Sequence, residues 1–160
     1  MKINSATSAQ IAASDASLST WLTANAGSGK TKVLIDRVAR LLLDGVQPEQ
    51  ILCLTYTKSA AAEMKNRLFD RLGKWAMLAD QELNLSLFET GIQRQLSINE
   101  LKKARTLFAR AIEAPGGLKI QTIHAFCASL LRKFPLEAGI SPQFGELSLS
   151  LIHISEPTRL

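Results

Sequence analysis

One glycine-rich segment constrains the fold of this chain more than any other feature. It reads Ala24-Asn25-Ala26-Gly27-Ser28-Gly29-Lys30-Thr31. This is the phosphate-binding form G-x-x-x-x-G-K-[ST], with alanine in place of the first glycine. Glycines let the backbone approach a polyphosphate without a clashing Cβ atom, so that backbone N–H groups and the start of the next helix face its charge. Lys30 adds a cation for the β- and γ-phosphates, and the Thr31 hydroxyl can hold Mg²⁺. All eight are therefore candidate nucleotide-binding residues, and Lys30 and Thr31 are also candidates for catalysis.

The sequence on either side of this loop fits the strand–loop–helix arrangement that such a loop requires. Leu18, Thr20 and Leu22 alternate with their neighbours, which predicts a strand over residues 18–23. Apolar residues recur at three- and four-residue steps over residues 31–44, which predicts a helix that Gly45 ends. The alternative is a chance Gly/Ser turn, and the flanking pattern argues against it.

Size and charge set wide bounds on function. A length of 160 residues predicts one globular domain, and a net charge of +5 permits a nucleic-acid partner without demanding one. No stretch has the apolar length of a signal peptide or a membrane span, so we expect a cytoplasmic protein without membrane contact.

Cys53 and Cys127 lie in apolar runs, which favours reduced, packed thiols over a disulfide. His124 and Cys127 are three residues apart, but two ligands do not make a zinc site.

The segments before and after the loop add a candidate base-reading residue and a second strand. A short helix is predicted over residues 8–13, and it carries Gln10. A glutamine is ordinarily a solvated side chain, but its amide could also read the edge of an adenine. The apolar run over residues 51–55 predicts a parallel strand buried on both faces, which completes a βαβ unit with the first strand.

The rest of the chain predicts helices around a third strand. A helix is predicted over residues 59–72, and residues 73–117 are interpreted as a helical insertion. Within the insertion we predict helices over residues 75–85 and 99–114, the second starting at a Ser97/Glu100 capping box. A strand over residues 118–122 then leads into a helix that ends near residue 133. The fold class is therefore α/β, with a partial parallel sheet of the P-loop NTPase type.

Polar residues at the ends of two predicted strands are candidates for binding. Thr55, Tyr56, Thr57 and Lys58 follow one strand, and His124 follows the other. Ligands of open α/β sheets gather at the carboxyl ends of the strands. The alternatives are an ordinary loop with a solvated basic face for the first group and a hydrogen-bonded core residue for His124.

Two further motifs now join the glycine-rich loop in resembling one family. Residues 54–64 read Leu-Thr-Tyr-Thr-Lys-Ser-Ala-Ala-Ala-Glu-Met, similar to the motif T-[FY]-T-x-x-A-A-x-E-M, and residues 121–127 read Gln-Thr-Ile-His-Ala-Phe-Cys, similar to a T-x-H motif. From Gln10 to about Phe144 the chain resembles the N-terminal part of the first motor domain of UvrD/Rep-type DNA helicases of superfamily one, with a RecA-like fold. Residues 115–120 and 134–139 make it look most like the AddA-type helicase–nuclease subunits of double-strand-break repair.

The resemblance implies roles for individual residues. Gln10 falls on the adenine-reading Q motif, and the glycine-rich loop on the Walker A motif that binds ATP and Mg²⁺. The other two motifs line the path of single-stranded DNA in this family. Hydroxyls and lysine can hold phosphate oxygens, while aromatic rings stack bases without sequence preference. The candidate DNA contacts are Thr55, Tyr56, Thr57, Lys58, Thr122, His124 and Phe126.

The resemblance also implies that this chain is part of a longer enzyme. No D-E-x-x sequence follows the T-x-H motif, so a Walker B acid is not supplied, and neither are an arginine finger and a second motor domain. Residues 1–146 are interpreted as the N-terminal part of a helicase ATP-binding domain and residues 147–160 as a non-native tail. The parent would be an ATP-dependent DNA helicase or translocase that acts on single-stranded and duplex DNA with an AddB-type partner subunit. The alternatives are a catalytically inert nucleotide- and DNA-binding module and a small P-loop kinase, whose acceptor-binding acid pair and basic lid are not evident.

Overall fold

A computed structural model describes residues 5–23, 25, 27, 29–141 and 143–145. Three of the predicted loop residues, Ala24, Ala26 and Ser28, lie outside the described residues. The boundary predicted at residue 146 and the tail predicted over residues 147–160 lie outside them as well.

The described part of the chain is a mixed α/β structure with six helices and two strands. One short 3-10 turn, Pro48–Gln50, precedes the first strand. In chain order the elements are α1 Ser5–Ala13, α2 Lys30–Asp44, β1 Leu52–Thr55, α3 Lys58–Met77, α4 Asp80–Glu89, α5 Ile98–Glu113, β2 Lys119–Thr122 and α6 Ile123–Lys133.

The two strands pair in parallel, in a register that runs from Leu52 opposite Lys119 to Thr55 opposite Thr122. Helices α3, α4 and α5 form the connection between them. The predicted α/β class with a helical insertion is therefore confirmed. Because the strands end level with each other, the residues that follow them are neighbours at one edge of the sheet.

The strand predicted over residues 18–23 is wrong. These residues form neither a strand nor a helix, and the side chain of Trp21 is 93% exposed. The Leu18 carbonyl accepts a hydrogen bond from Arg37 Nη2 at 2.6 Å instead of from a neighbouring strand. A strand needs a partner to bond with, and residues 18–23 pair with neither strand of the described sheet. The predicted βαβ unit therefore does not form here, and the parallel crossover runs from β1 to β2.

The prediction that β1 is buried on both faces is also wrong. Ile51 and Cys53 are buried or half-buried, whereas Leu52 and Leu54 are 43% and 44% exposed. Helix α3 packs against the sheet and joins β1 to the core, which covers only one face. A continuous apolar run is typical of a strand covered on both sides. The sequence of β1 is therefore more apolar than its one-sided burial here requires.

Helix α3 is longer than predicted, and the residues predicted as one helix over 75–85 are divided between the end of α3 and the start of α4. The observed helix continues through Gly73 because Leu72 and Trp75 extend its buried face, and a new helix begins only at Asp80. A Cβ atom at Gly73 would lie 3.6 Å from the Phe108 ring, so the glycine fits a close approach of α3 to α5. The fully buried Trp75 donates from Nε1 to Ser86 Oγ at 2.8 Å, which ties α4 to α3.

The predicted ends of α2 and α5 are confirmed. Gly45 has a φ of 100° and caps α2 in the left-handed conformation. Ser97 Oγ accepts from the Glu100 N–H at 3.3 Å, and the Glu100 carboxylate accepts from the Ser97 N–H at 2.9 Å. This reciprocal pair is the predicted capping box.

An ion cluster joins α2 to α3. Asp36 is 2% exposed and accepts from Lys32 Nζ at 2.8 Å and from the Arg71 guanidinium. A carboxylate that is buried to this extent needs such partners, because leaving it unpaired costs several kcal/mol. The cluster therefore helps to hold the helix that follows the glycine-rich loop against the helix that follows β1.

Candidate nucleotide-binding site and sheet edge

The two described glycines of the loop adopt the left-handed backbone conformation. Gly27 and Gly29 have φ angles of 78° and 90°, in the region that glycine occupies without strain. Lys30 begins α2, and its Nζ donates to the Asn25 carbonyl at 2.6 Å, so the side chain folds back over the loop. Gly29 offers no side-chain cap to the start of α2. The N–H groups of the first turn thus form, with Lys30, a positive site at the helix N-terminus.

The structure brings Gln10 to this loop. A Cβ atom at Gly29 would lie only 2.8 Å from Gln10 Nε2, so the amide is packed directly against the glycine. Gln10 belongs to α1, which precedes the loop in the sequence. Two residues that sequence reasoning assigned separately, one to adenine and one to phosphate, are therefore neighbours.

Two arginines of α2 hold the segment that joins α1 to the loop, and sequence reasoning missed both. Arg37 donates to the carbonyls of Asp15 and Leu18. Arg40 Nη1 donates to the Ile11 carbonyl at 3.2 Å and to Ser14 Oγ at 3.0 Å. The only signal in the sequence is their spacing of three residues, which places both on one face of the predicted helix.

The groups at the loop fit a magnesium-bound nucleoside triphosphate. A Cβ atom at Gly27 would meet no atom of the described residues within 4 Å, so on that side the backbone is open to a ligand. Thr31 is half-buried in the first turn of α2 and offers one hydroxyl. No cluster of three or more His, Cys, Asp or Glu side chains is found among the described residues. Magnesium commonly uses one or two protein oxygens together with phosphates and water, which suits Thr31 as a ligand.

A second group of candidate residues lies at the carboxyl ends of the two strands. Thr55 is paired with Thr122 across the sheet, and Tyr56 follows with its ring 81% exposed. Thr57 caps α3, because its Oγ1 accepts a hydrogen bond from the Ala60 N–H at 3.1 Å. Lys58, which is exposed, is the first residue of that helix.

The T-x-H segment forms the start of α6. Thr122 is buried, and its Oγ1 accepts from the Ala125 N–H at 3.2 Å, so its hydroxyl serves as a helix cap. His124 is exposed in the first turn and Phe126 is half-buried there. The alternative of His124 as a core residue is therefore wrong. The parallel register places the N-termini of α3 and α6 at the same edge of the sheet, with Lys58 and His124 in their first turns.

Comparison with known proteins identifies the family. The model of the UvrD/REP helicase N-terminal domain matches residues 5–150. The chain belongs to this family. Among its curated relatives, an ATP-dependent helicase/nuclease subunit from Lactobacillus acidophilus is 32% identical over 123 residues, which are 77% of this chain and 8% of that protein. The protein of the same name from Anoxybacillus flavithermus is 34% identical over 138 residues, 81% of this chain and 10% of that protein. No solved structure matches the chain.

This UvrD/REP domain therefore spans about a tenth of the length of the curated relatives it matches. Both of its cysteines are free. Cys53 is half-buried, and burial raises the pKa of its thiol, whereas Cys127 is exposed, so the predicted packing of Cys127 is wrong. Over the residues that the structure describes, none of the helices is long and apolar enough to cross a membrane.

Proposed function

We propose that this domain is the ATP-binding part of an ATP-dependent DNA helicase or translocase. In this proposal the parent is a helicase–nuclease subunit of recombinational double-strand-break repair in the cytoplasm, working with an AddB-type partner. The observation that carries it is the convergence of Lys30, Asn25 and Gln10 at the left-handed glycines of the loop. A positive helix N-terminus with an adjacent amide is suited to a nucleotide that has both a phosphate chain and a base edge.

Each residue at the loop has a proposed role. The backbone of residues 24–29 cradles the phosphates, Lys30 neutralises the β- and γ-phosphates, and Gln10 reads adenine. Thr31 holds Mg²⁺, which supplies charge neutralisation at the phosphates when bound. In the parent, Lys30 and Thr31 thus contribute to hydrolysis by positioning and electrostatics.

The sheet edge is the proposed path of single-stranded DNA. Lys58 and His124 stand at two helix N-termini, where phosphate oxygens are favoured. The exposed ring of Tyr56 can stack on a base for about 1–3 kcal/mol, whatever the base is. Phe126 offers a second ring, half-buried in the first turn of α6. The proposed contribution of Thr55, Thr57 and Thr122 is chiefly to shape the edge. The hydroxyls of Thr57 and Thr122 already cap helices.

A second function is favoured for the 160-residue chain by itself: nucleotide and DNA binding without turnover. Its sequence has no D-E-x-x segment after the T-x-H motif. In P-loop enzymes that acid helps to hold the metal, and an arginine finger contributes roughly 10³- to 10⁵-fold to the rate. In this proposal residues 73–117 are a helical insertion, whose helix α5 packs against α3.

The DNA assignment is tested by fluorescence anisotropy with labelled single-stranded oligonucleotides of two different sequences. We expect equal affinity for both sequences, and a loss of about fivefold in Lys58→Ala with a shallower salt dependence, because one phosphate contact is lost. Lys133→Ala, a lysine at the other end of α6, is the matched control and should bind as the wild type does. Equal losses in the two variants would contradict the assignment of the edge.

A further inference from the structure

The end of α1 is fastened to α2 through backbone carbonyls. Arg40 donates to the Ile11 carbonyl and to Ser14 Oγ, and Arg37 donates to the carbonyls of Asp15 and Leu18. The last carbonyls of a helix have no partner within it, and cations near that end also complement the helix dipole. Arg40 therefore stabilises the C-terminal end of α1, and Arg37 holds the segment that follows it.

The contact between α1 and α2 is closely packed. Ser14 is fully buried, and its Oγ also donates to the Ile11 carbonyl at 2.8 Å. A Cβ atom at Gly91 would lie 3.0 Å from both Arg40 Nη1 and a methyl carbon of Ile11. The turn after α4 thus closes over the Arg40 guanidinium and restricts it to this position.

We infer that Arg37 and Arg40 are positioning residues that hold Gln10 against the glycine-rich loop and so set the preference for adenine. This inference rests on the proposed function, and it explains why the nucleotide site would select adenine. A helix of nine residues is marginal in water by itself, so α1 depends on its contacts with α2. Gln10 lies one residue before Ile11, whose carbonyl Arg40 holds.

The phosphate grip does not depend on this fastening. Lys30 and Thr31 belong to the first turn of α2, whereas Arg37 and Arg40 lie two to three turns further along the same helix. Loosening α1 should therefore move the amide of Gln10 and leave the loop in place. A substitution that loosens α1 should therefore change the selectivity for the base without changing the affinity for the phosphates.

Calorimetric titration of the 160-residue chain with Mg·ATP, Mg·GTP and Mg·tripolyphosphate separates them. Hydrogen-bonded recognition of the base predicts that Gln10→Ala lowers ATP affinity about fivefold to tenfold and leaves tripolyphosphate affinity unchanged. We expect Arg40→Gln to reproduce this selective loss and Arg40→Lys to restore it in part. The double variant Gln10→Ala/Arg40→Gln should lose no more than either single variant, because both act on one contact.

Two further variants complete the test. Ser14→Ala removes one acceptor of Arg40 with the smallest change in volume, and it replaces Arg40→Gln if that variant does not fold. Arg110→Gln is the matched control, because Arg110 bonds the Gln47 side chain away from α1 and should change no affinity.

The outcomes distinguish the inference from the function on which it rests. Equal losses for ATP, GTP and tripolyphosphate in the Arg40 variants would overturn the inference, because they would show a general structural role. Unchanged ATP selectivity would overturn it as well. A wild-type chain that binds none of the three ligands would refute the proposed function, and the inference with it.

Discussion

At the scale of the residue, Gly29 is a position that tolerates little change. Its φ of 90° is strained for any other residue, and Gln10 Nε2 occupies the space where a side chain would begin. The same residue is the N-cap of α2, beside Lys30. A change here should therefore affect both the backbone of the loop and the seating of Gln10.

Gly29→Ala tests this constraint. We expect Mg·ATP affinity to fall about tenfold or more, because a left-handed alanine costs about 1–3 kcal/mol and its methyl group displaces Gln10. Gly116→Ala is a control for strain alone, since Gly116 has a φ of 76° and nothing within 4 Å of a Cβ atom. Nucleotide affinity as high in Gly29→Ala as in Gly116→Ala, measured by calorimetry, would show that the contact with Gln10 is unimportant.

Sequence reasoning found the loop residues but not the arginines that support them. The loop is local: its glycines, Lys30 and Thr31 are adjacent in sequence, and their chemistry demands that order. Arg37 bonds a carbonyl 22 residues away, and Arg40 one 29 residues away. Backbone carbonyls carry no sequence signal, so contacts of this kind appear only in the structure.

At the scale of the element, the start of α5 carries Glu100, the acid whose pKa is shifted most among the described residues. The Arg94 guanidinium, with Ser97, lowers the pKa of Glu100 to about 2. Arg94 Nη2 donates to Glu100 Oε1 at 2.5 Å, and the other oxygen takes part in the capping box. The carboxylate is therefore the form that stabilises the folded helix.

This lowered pKa predicts a pH dependence for the Glu100→Gln variant. A carboxyl with a depressed pKa stabilises the fold fully above its ordinary value of 4.5, and the contribution is lost as the pH falls through about 2. The variant should thus unfold at a lower temperature than the wild type at pH 7, and the difference should shrink as the pH approaches 2. Thermal unfolding followed by circular dichroism measures it, with Glu137→Gln as control. A difference that does not change with pH would contradict the ionic origin.

The helices show where periodicity is a sufficient guide. Residues 31–44 and 99–114 were predicted within a residue of the observed α2 and α5, because their apolar stripes and capping residues agree. Gly73 misled the prediction of α3, since a glycine inside a helical pattern ordinarily marks an end. Here the glycine allows close approach to Phe108, a contact between helices that a single-helix pattern does not contain.

At the scale of the whole molecule, the outer face of β1 is apolar and exposed. Leu52 and Leu54 alternate along β1 and are both more than 40% exposed. Exposed apolar strand faces and unpaired edges favour association between chains. Residues 19–23 are exposed as well and do not pair with β1.

We expect the 160-residue chain to self-associate with rising concentration. Replacing Leu52 and Leu54 with threonine keeps strand propensity, removes apolar surface, and should lower the average mass measured by light scattering. Met77→Thr is the control, because Met77 is 87% exposed at the end of α3, away from the sheet. A wild-type chain that stays monomeric throughout would contradict this account of the sheet face.

The fold class was predictable because three motifs occur in a fixed order, but the sheet was not. Residues 18–23 alternate apolar and polar side chains and residues 51–55 are an almost continuous apolar run, so both can form strands, but only the second segment does. The difference is a partner: β1 finds β2 at a distance of more than 60 residues in the sequence, as the pairing of Leu52 with Lys119 shows. Alternation predicts that a segment can form a strand, whereas pairing decides whether it does.

The most direct test of the account is calorimetric titration of the chain with Mg·ATP, comparing the wild type with Lys30→Ala. Lys30 provides the cation at the loop, and its substitution leaves both glycines and the arginines of α2 unchanged. We expect one saturable binding event in the wild type and its loss in Lys30→Ala, with the same helical content by circular dichroism in both. Equal binding of Mg·ATP by the two folded proteins, or no binding by the wild type, would contradict it.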